Sequence, residues 1–109
     1  MKEEETRTKK FKTLFFPKNI AFIGASENST LGSMLYLPSF KESIWKDSFY
    51  PVNPNHKEIM GWKCYSSVLD VPNHIDLAFI SVKAPIIPSI LKDCIQKSIH
   101  WVVIFTSGF

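Results

Sequence analysis

The chain has 109 residues, of which 45% are hydrophobic, and its formal net charge is +3. This length suits one small domain, and this composition argues against a disordered chain. Because lysine and arginine are mixed with acidic residues instead of forming a basic stripe, the charge pattern argues against a nucleic-acid binder.

The cysteine content and the N-terminus bear on the cellular compartment. Cys64 and Cys94 are the only cysteines, and they do not form a C-x-x-C pair. We therefore expect two reduced thiols and no metal site. The charged N-terminus lacks the apolar region of a signal peptide, and no apolar run is long enough to span a membrane. These features predict a cytoplasmic protein with no membrane partner.

The N-terminal part is predicted to be a polar tail over residues 1–12, frayed over residues 1–10, ahead of one domain over residues 13–109. Phe11, Leu14 and Phe15 have helical spacing, and Pro17 ends that run. Further along, short apolar segments predict strands at residues 19–23, 48–52, 63–65, 76–82 and 101–106. Helical patterns occupy residues 31–44, 66–71 and 85–98, the first interrupted by Pro38 and the last with Cys94 on its buried side.

Strands that alternate with helices predict an α/β fold with a Rossmann-like, doubly wound parallel sheet of about five strands. The near-continuous apolar run at residues 76–82 is typical of a strand covered on both faces. The strand at residues 101–106 is also expected to be buried, yet no helix follows it. The domain is therefore predicted to be truncated at its C-terminus, so that its last strand lacks a covering helix.

The first candidate binding loop follows the first predicted strand. Gly24, Ala25 and Ser26 lead towards Gly32 and the next helix. A glycine after a buried strand permits a tight turn, and free N–H groups at a helix start attract phosphate. Ser26 stands where a G-x-G-x-x-G fingerprint has its second glycine, so a plain strand-to-helix turn is an equally good interpretation of this loop alone.

The second candidate loop follows the second predicted strand and contains Asn53, Pro54, His56 and Lys57. A dinucleotide site often has an acidic residue here to hold a ribose diol, and this chain has none. Neutral donors and a cation instead suit a ribose that carries a phosphate, as coenzyme A does at its 3′ position. A solvated surface turn is the alternative.

Two more loops complete the set of candidate binding residues. Small or hydroxyl-bearing residues at these strand ends leave room for a ligand; they lie among Val82, Lys83, Ala84 and Pro85, and at Thr106 and Ser107. Histidines occur in separate segments without metal-ligand spacing, and no G-x-S-x-G elbow or Walker motif is present. We therefore expect neither a catalytic residue nor a metal.

Taken together, the strand ends resemble a known family. Residues 20–26 (IAFIGAS), 50–54 (YPVNP), 58–68 (EIMGWKCYSSV), 69–72 (LDVP), 75–78 (IDLA) and 104–109 (IFTSGF) are similar, in this order, to the coenzyme A-binding domain that opens ADP-forming acetyl-CoA synthetases. The α-subunit of succinyl-CoA synthetase begins with the same domain. The resemblance covers roughly residues 14–109, with departures at Lys83, where the family usually has proline, and at Ser98, where it usually has glycine.

The resemblance implies a function for the chain. Ser26 and the loop to Gly32 would hold the coenzyme A phosphates, residues 53–57 would face the adenosine and its 3′-phosphate, and residues 82–85 with Thr106 and Ser107 would line the pantetheine arm. The family's phosphorylated histidine and its ATP-grasp domain lie elsewhere. The chain would therefore bind coenzyme A or acyl-CoA for a nucleoside-diphosphate-forming ligase, together with the remaining synthetase domains or subunit, and would not be catalytic alone.

Two other functions stay open from the sequence. The chain could be a stand-alone module that senses coenzyme A or a nucleotide without catalysis, or an NAD-binding redox domain. The missing acidic residue after the second strand and the missing second glycine argue against the redox domain.

Overall fold

The structure, a computed structural model, describes residues 2–26 and 33–105. Its helices are α1 (Lys2–Phe15), α2 (Ser33–Lys41) and α3 (Ile87–Gln96), and its strands are β1 (Ile20–Ile23), β2 (Phe49–Val52), β3 (Glu58–Ile59), β4 (Trp62–Lys63), β5 (Leu77–Ile80) and β6 (Trp101–Ile104). Short 3₁₀ helices occupy Val68–Asp70 and Ala84–Ile86. The helical turn predicted before Pro72 is thereby confirmed.

The main sheet is parallel, with the strand order β2-β1-β5-β6. Ile20 of β1 lies opposite Phe49 of β2 on one side and Leu77 of β5 on the other. Because β1 and β5 are apolar and buried, both faces of the sheet need cover, and the chain provides it from both sides. The predicted Rossmann-like α/β fold is confirmed.

The predicted strand at residues 63–65 does not add a full fifth strand to this sheet. Trp62–Lys63 instead pairs antiparallel with Glu58–Ile59, and Tyr65 contributes a single parallel bridge to Val52. The turn between the two short strands consists of Met60 and Gly61, with φ angles of 51° and 85°. Two residues with positive φ favour a tight hairpin, so Trp62–Lys63 pairs with the neighbouring strand Glu58–Ile59 instead of joining the main sheet.

Two apolar clusters cover the two faces of the sheet. Alternation along β1 sends Ala21 and Ile23 to one face and Ile20 and Phe22 to the other. The first face packs against the segment from Val68 to Ile75 and against α3, whose Cys94 is 2% exposed. The second face packs against residues of α2 and the hairpin, namely Leu37, Ile59 and Trp62. The prediction that Cys94 lies on the buried side of a helix is confirmed, and burial raises the pKa of its thiol to about 11.

The N-terminal helix differs from the predicted frayed tail. It begins at Lys2 and ends at Phe15, two residues before Pro17. Near its C-terminal end, Thr13 Oγ1 accepts a hydrogen bond of 2.9 Å from Trp101 Nε1. The expectation of a frayed segment is therefore wrong for residues 2–10, which form one continuous helix with the residues that contact β6.

Two remaining elements bear on the predictions. Pro38 lies inside α2, which begins at Ser33, so the helix starts ahead of the proline. The last strand was expected to be buried, but β6 forms an edge of the sheet, with Val102 and Ile104 each more than a third exposed. The correction has a simple cause, since only β5 pairs with β6 in the described part of the chain, while α1 bonds to Trp101 at the start of the strand.

Candidate functional site

The strand order creates a crevice at the carboxyl ends of β1 and β5. After β1 the chain crosses to β2 on one side, and it later returns to place β5 on the opposite side of β1. The helices that follow these strands therefore diverge, and open α/β sheets bind ligands at such a switch point. A cavity of about 420 Å³ lies there, lined by Ile23, Gly24, Val52, Asn53, Pro54, Asn55, Ser66, Ser67, Val68, Ser81, Val82, Lys83, Ile86, Ile90 and Asp93.

Gly24 holds the strand ends together. Its φ angle is +90°, and a Cβ at this position would lie 2.1 Å from the carbonyl oxygen of Ser81. The Gly24 amide donates a 2.8 Å hydrogen bond to the carbonyl of Val52, and the Ser81 amide donates one of 2.8 Å to that of Ile23. Only glycine permits this backbone conformation and close approach, so Gly24 allows the ends of β1 and β5 to meet at the wall of the cavity.

Asn53 connects the loops that follow β1 and β2. Its Nδ2 donates a 2.9 Å hydrogen bond to the carbonyl of Ala25, and its Oδ1 accepts one of 2.8 Å from the amide of Asn55. The Asn53 amide also donates to the carbonyl of Tyr65 at 2.8 Å. Both ends of the side-chain amide are therefore engaged within the protein, and this residue shapes the rim of the cavity.

The structure brings together five of the predicted binding residues: Gly24, Asn53, Pro54, Val82 and Lys83 line the cavity. Ala84 and Pro85 are the first residues of the 3₁₀ helix whose last residue, Ile86, is a lining residue. Ala25 is fully buried behind the first loop, where its carbonyl accepts the Asn53 bond.

Other predicted residues are not among the lining residues. His56 and Lys57 belong to the loop after β2, where the His56 amide donates to the Asn53 carbonyl at 3.3 Å and the Lys57 carbonyl accepts from the Cys64 amide at 2.9 Å. Ser26, at the end of the first described segment, is half-buried. Gly32, Thr106 and Ser107 lie outside the described residues.

Several lining residues were not predicted from the sequence. Ile86, just before α3, and Ile90 and Asp93 within it are spaced by four and three residues, so they lie along one side of the helix. The amphipathic pattern predicted only which side of that helix packs on the core. Because the helix follows a strand end, its position in the sequence also indicated that the side next to the core side borders the crevice. Ser66 and Ser67 come from the segment after the hairpin, and Ser67 Oγ accepts a 3.2 Å hydrogen bond from the Leu69 amide.

The cavity is apolar with a few polar groups at defined places. Lys83 and Asp93 are the charged side chains among its lining residues. Ser81 is 6% exposed, and its hydroxyl has no hydrogen-bond partner within the part of the chain that the structure describes. Nearby, burial raises the pKa of the Cys64 thiol, whose sulfur lies 3.5 Å from the Asn53 carbonyl oxygen.

Residues 2–26 and 33–105 contain no group of three or more histidine, cysteine or acidic side chains that could hold a metal ion. Within the same described ranges, no helix is both long and apolar enough to cross a membrane.

Comparison with known proteins places the chain in a family. Residues 18–109 match the family described as CoA binding domain. This chain belongs to that family. As a CoA-binding domain it is 42% identical over 96 residues to the ADP-forming acetate–CoA ligase II of Archaeoglobus fulgidus, a match that covers 88% of the chain and 14% of the ligase. The domain therefore spans about a seventh of the length of that relative.

Solved structures support the same assignment. The dinucleotide forming acetyl-coenzyme A synthetase 1 of Ca. Korarchaeum cryptofilum, in complex with phosphate and ADP, is similar to the CoA-binding domain with a TM-score of 0.83 and 36% identity, over 91% of this chain and 21% of that one. A hypothetical protein from Pyrococcus horikoshii has a TM-score of 0.74 and 30% identity, over 87% of this chain and 66% of that one. The domain thus resembles parts of large synthetases and also much of a short protein.

Proposed function

We propose that this CoA-binding domain holds coenzyme A in the cavity at the switch point, for the reaction of an ADP-forming acid–CoA ligase. The observation that carries the proposal is the coincidence of the family match with a cavity at the switch point of the sheet. In the complete reaction, acyl-CoA, nucleoside diphosphate and phosphate give the acid, coenzyme A and nucleoside triphosphate. The remaining synthetase domains or a second subunit would supply the phosphoryl-transfer chemistry.

The lining residues support a division of roles. The loop from Gly24 to Ser26 leads from β1 towards α2, where backbone amides favour phosphate. Lys83 is the lining residue that carries a positive charge, so it is our candidate for the 3′-phosphate, with His56 and Lys57 of the neighbouring loop as the competing pair. Asn53 would act by positioning, since its amide already joins the loops after β1 and β2.

A stand-alone CoA-binding module is the second candidate function. It is favoured by the similarity to the short Pyrococcus horikoshii protein, two thirds of whose length the domain covers. In that case the domain would bind coenzyme A without a ligase partner. The two functions differ in whether the domain, once the synthetase domains are added, supports formation of nucleoside triphosphate from acyl-CoA, nucleoside diphosphate and phosphate.

Isothermal titration calorimetry with coenzyme A and with NAD tests the proposed ligand. We expect coenzyme A to bind and NAD not to bind measurably, because Asn53, and not a carboxylate, follows β2. The same two titrations on Asn53→Asp compare the wild type with a variant that has a carboxylate at the position where a dinucleotide site has its acid. Tight NAD binding to the wild-type chain, with no response to coenzyme A, would contradict the proposal.

A further inference from the structure

The Ser81 hydroxyl is a buried polar group that has no hydrogen-bond partner among the described residues. It follows β5 directly, lines the cavity and is 6% exposed, and the described residues offer it no hydrogen bond. The backbone of Ser81 is held by two contacts. The Ser81 amide is bonded to the Ile23 carbonyl at 2.8 Å, and the α-carbon of Gly24 packs against the Ser81 carbonyl. An unpaired buried hydroxyl destabilises a fold. Its presence at the wall of a cavity therefore points to a ligand that forms a hydrogen bond with it.

Asp93 provides a second polar group in the same cavity. It shares a face of α3 with Ile90, and Ile86 lines the cavity just before that helix, so a carboxylate that only accepts hydrogen bonds lies beside apolar walls. A negative charge there disfavours a phosphate and favours a group that carries N–H or O–H donors. Ser81 can donate or accept, so the pair matches an uncharged ligand group that has both donors and acceptors.

We propose that Ser81 and Asp93 bind the adenosine part of coenzyme A, as specificity-determining residues of the cavity; this inference rests on the proposed function. An adenine ring has a flat apolar body for the walls formed by Val68 and Ile90, an exocyclic amine for a carboxylate, and ring nitrogens for a hydroxyl. The end of β2 supplies Val52 to the same cavity, and in doubly wound folds the ribose lies at the end of the second strand.

The amide groups of the pantetheine arm also combine donors and acceptors, so the test separates the two halves of coenzyme A. Calorimetry would compare adenosine 3′,5′-bisphosphate, phosphopantetheine and coenzyme A on the wild-type chain and on Ser81→Ala and Asp93→Asn. The control is Ser89→Ala, because the Ser89 hydroxyl is exposed on α3 and bonded to the Ile86 carbonyl at 3.0 Å. Thermal melts of each unliganded protein would accompany the titrations.

The proposal predicts opposite changes in affinity and stability for one variant. Ser81→Ala weakens coenzyme A and adenosine 3′,5′-bisphosphate by about three- to tenfold, leaves phosphopantetheine unchanged, and leaves the melting temperature of the free protein equal or higher. Asp93→Asn weakens the same two ligands, although it removes a negative charge from the site of an anionic molecule. Ser89→Ala changes none of these affinities.

Other results of these titrations would contradict the assignment of Ser81 and Asp93. A Ser81→Ala variant that binds as the wild type does, or that loses affinity for phosphopantetheine only, overturns the assignment, as does tighter binding by Asp93→Asn. A lower melting temperature with unchanged affinity makes Ser81 a structural residue. If the wild-type chain does not bind coenzyme A at all, the proposed function fails and takes this inference with it, whereas equal binding by wild type and both variants overturns this inference alone.

Discussion

The two ends of β5 carry buried polar residues with opposite surroundings. Asp76, just before the strand, is 7% exposed, and its Oδ2 accepts hydrogen bonds from the amides of Lys18 at 2.8 Å and Asn19 at 3.4 Å. Its Oδ1 lies 3.4 Å from Nε2 of His74. Ser81, just after the strand, is equally buried, and its hydroxyl has no partner among the described residues. Among the described residues, the polar group at one end of β5 is therefore satisfied by the protein's own hydrogen bonds, and the polar group at the other end is not.

This difference separates residues that stabilise the fold from residues that are available to a ligand. At the amino end, backbone groups entering β1 meet a carboxylate, and the Asp76 amide also donates to the Asn19 carbonyl at 3.0 Å. At the carboxyl end, the chain places loops around a cavity, with a glycine where they approach most closely. We therefore expect substitutions at the amino end to change stability alone and those at the carboxyl end to change affinity, with Gly24 changing both.

The largest effect is expected for Gly24→Ala. A Cβ would lie 2.1 Å from the Ser81 carbonyl oxygen, and both partners are backbone, so neither can move without shifting a strand end. Overpacking together with a strained positive φ should cost about 3 kcal/mol of unfolding free energy and abolish coenzyme A binding. Urea denaturation and calorimetry measure the two quantities.

Gly61→Ala is the matched control for this substitution. Gly61 also has a positive φ, of +85°, but its added Cβ would meet only the flexible Lys41 Nζ at 3.1 Å. Its cost should be about 1 kcal/mol, with binding retained. Equal losses of stability in the two variants would show that backbone strain, and not the approach to Ser81, makes Gly24 necessary.

An intermediate effect is expected for Asp76→Ala. The change leaves the Lys18 and Asn19 amides without their acceptor in a partly buried site, so the unfolding free energy should fall by about 2 kcal/mol. The dissociation constant for coenzyme A, measured on the folded protein, should not change. Asp47→Ala serves as the control, because Asp47 is exposed and its removal should change stability by less than about 0.5 kcal/mol. A loss of affinity in Asp76→Ala would show that the two ends of β5 are coupled.

The smallest effect is expected for Lys83→Ala, which tests whether this residue at the carboxyl end of β5 contacts the 3′-phosphate. Lys83 lines the cavity but is exposed, so its contact with a 3′-phosphate should be worth about 1 kcal/mol, or about a fivefold loss of affinity for coenzyme A relative to 3′-dephospho-coenzyme A. The loss should shrink as salt rises, and unfolding should be unaffected.

Lys57→Ala and His56→Ala complete that experiment. Both residues belong to the loop after β2 but not to the cavity lining. The measured quantity is the ratio of the two ligands' affinities in each variant. If Lys57→Ala or His56→Ala changes this ratio and Lys83→Ala does not, the 3′-phosphate is held by the loop after β2, as the family resemblance implies.

The sequence by itself determined where the strands lie and which loops border the crevice. The apolar runs that became β1, β2, β5 and β6 are local patterns, and the glycine after β1 signals the turn that the structure contains. Because the carboxyl ends of parallel strands meet at one edge, the sequence alone groups Gly24, Asn53 and Lys83 at one site. A family resemblance spread over the whole domain then indicated the ligand.

Only the tertiary structure decided which side chains complete the cavity and which groups are already satisfied. Asp93 and Ser66 come from segments whose local pattern indicated an amphipathic helix and a turn, and they meet the strand ends only because the chain crosses the sheet. The same holds for the hydrogen bond from Asn53 to Ala25, across 28 residues, and for the partners of Asp76. Periodicity indicates which face of an element is apolar, whereas the pairing of polar groups depends on contacts between distant segments. For this reason only the fold shows that the buried Ser81 hydroxyl has no hydrogen-bond partner among the described residues.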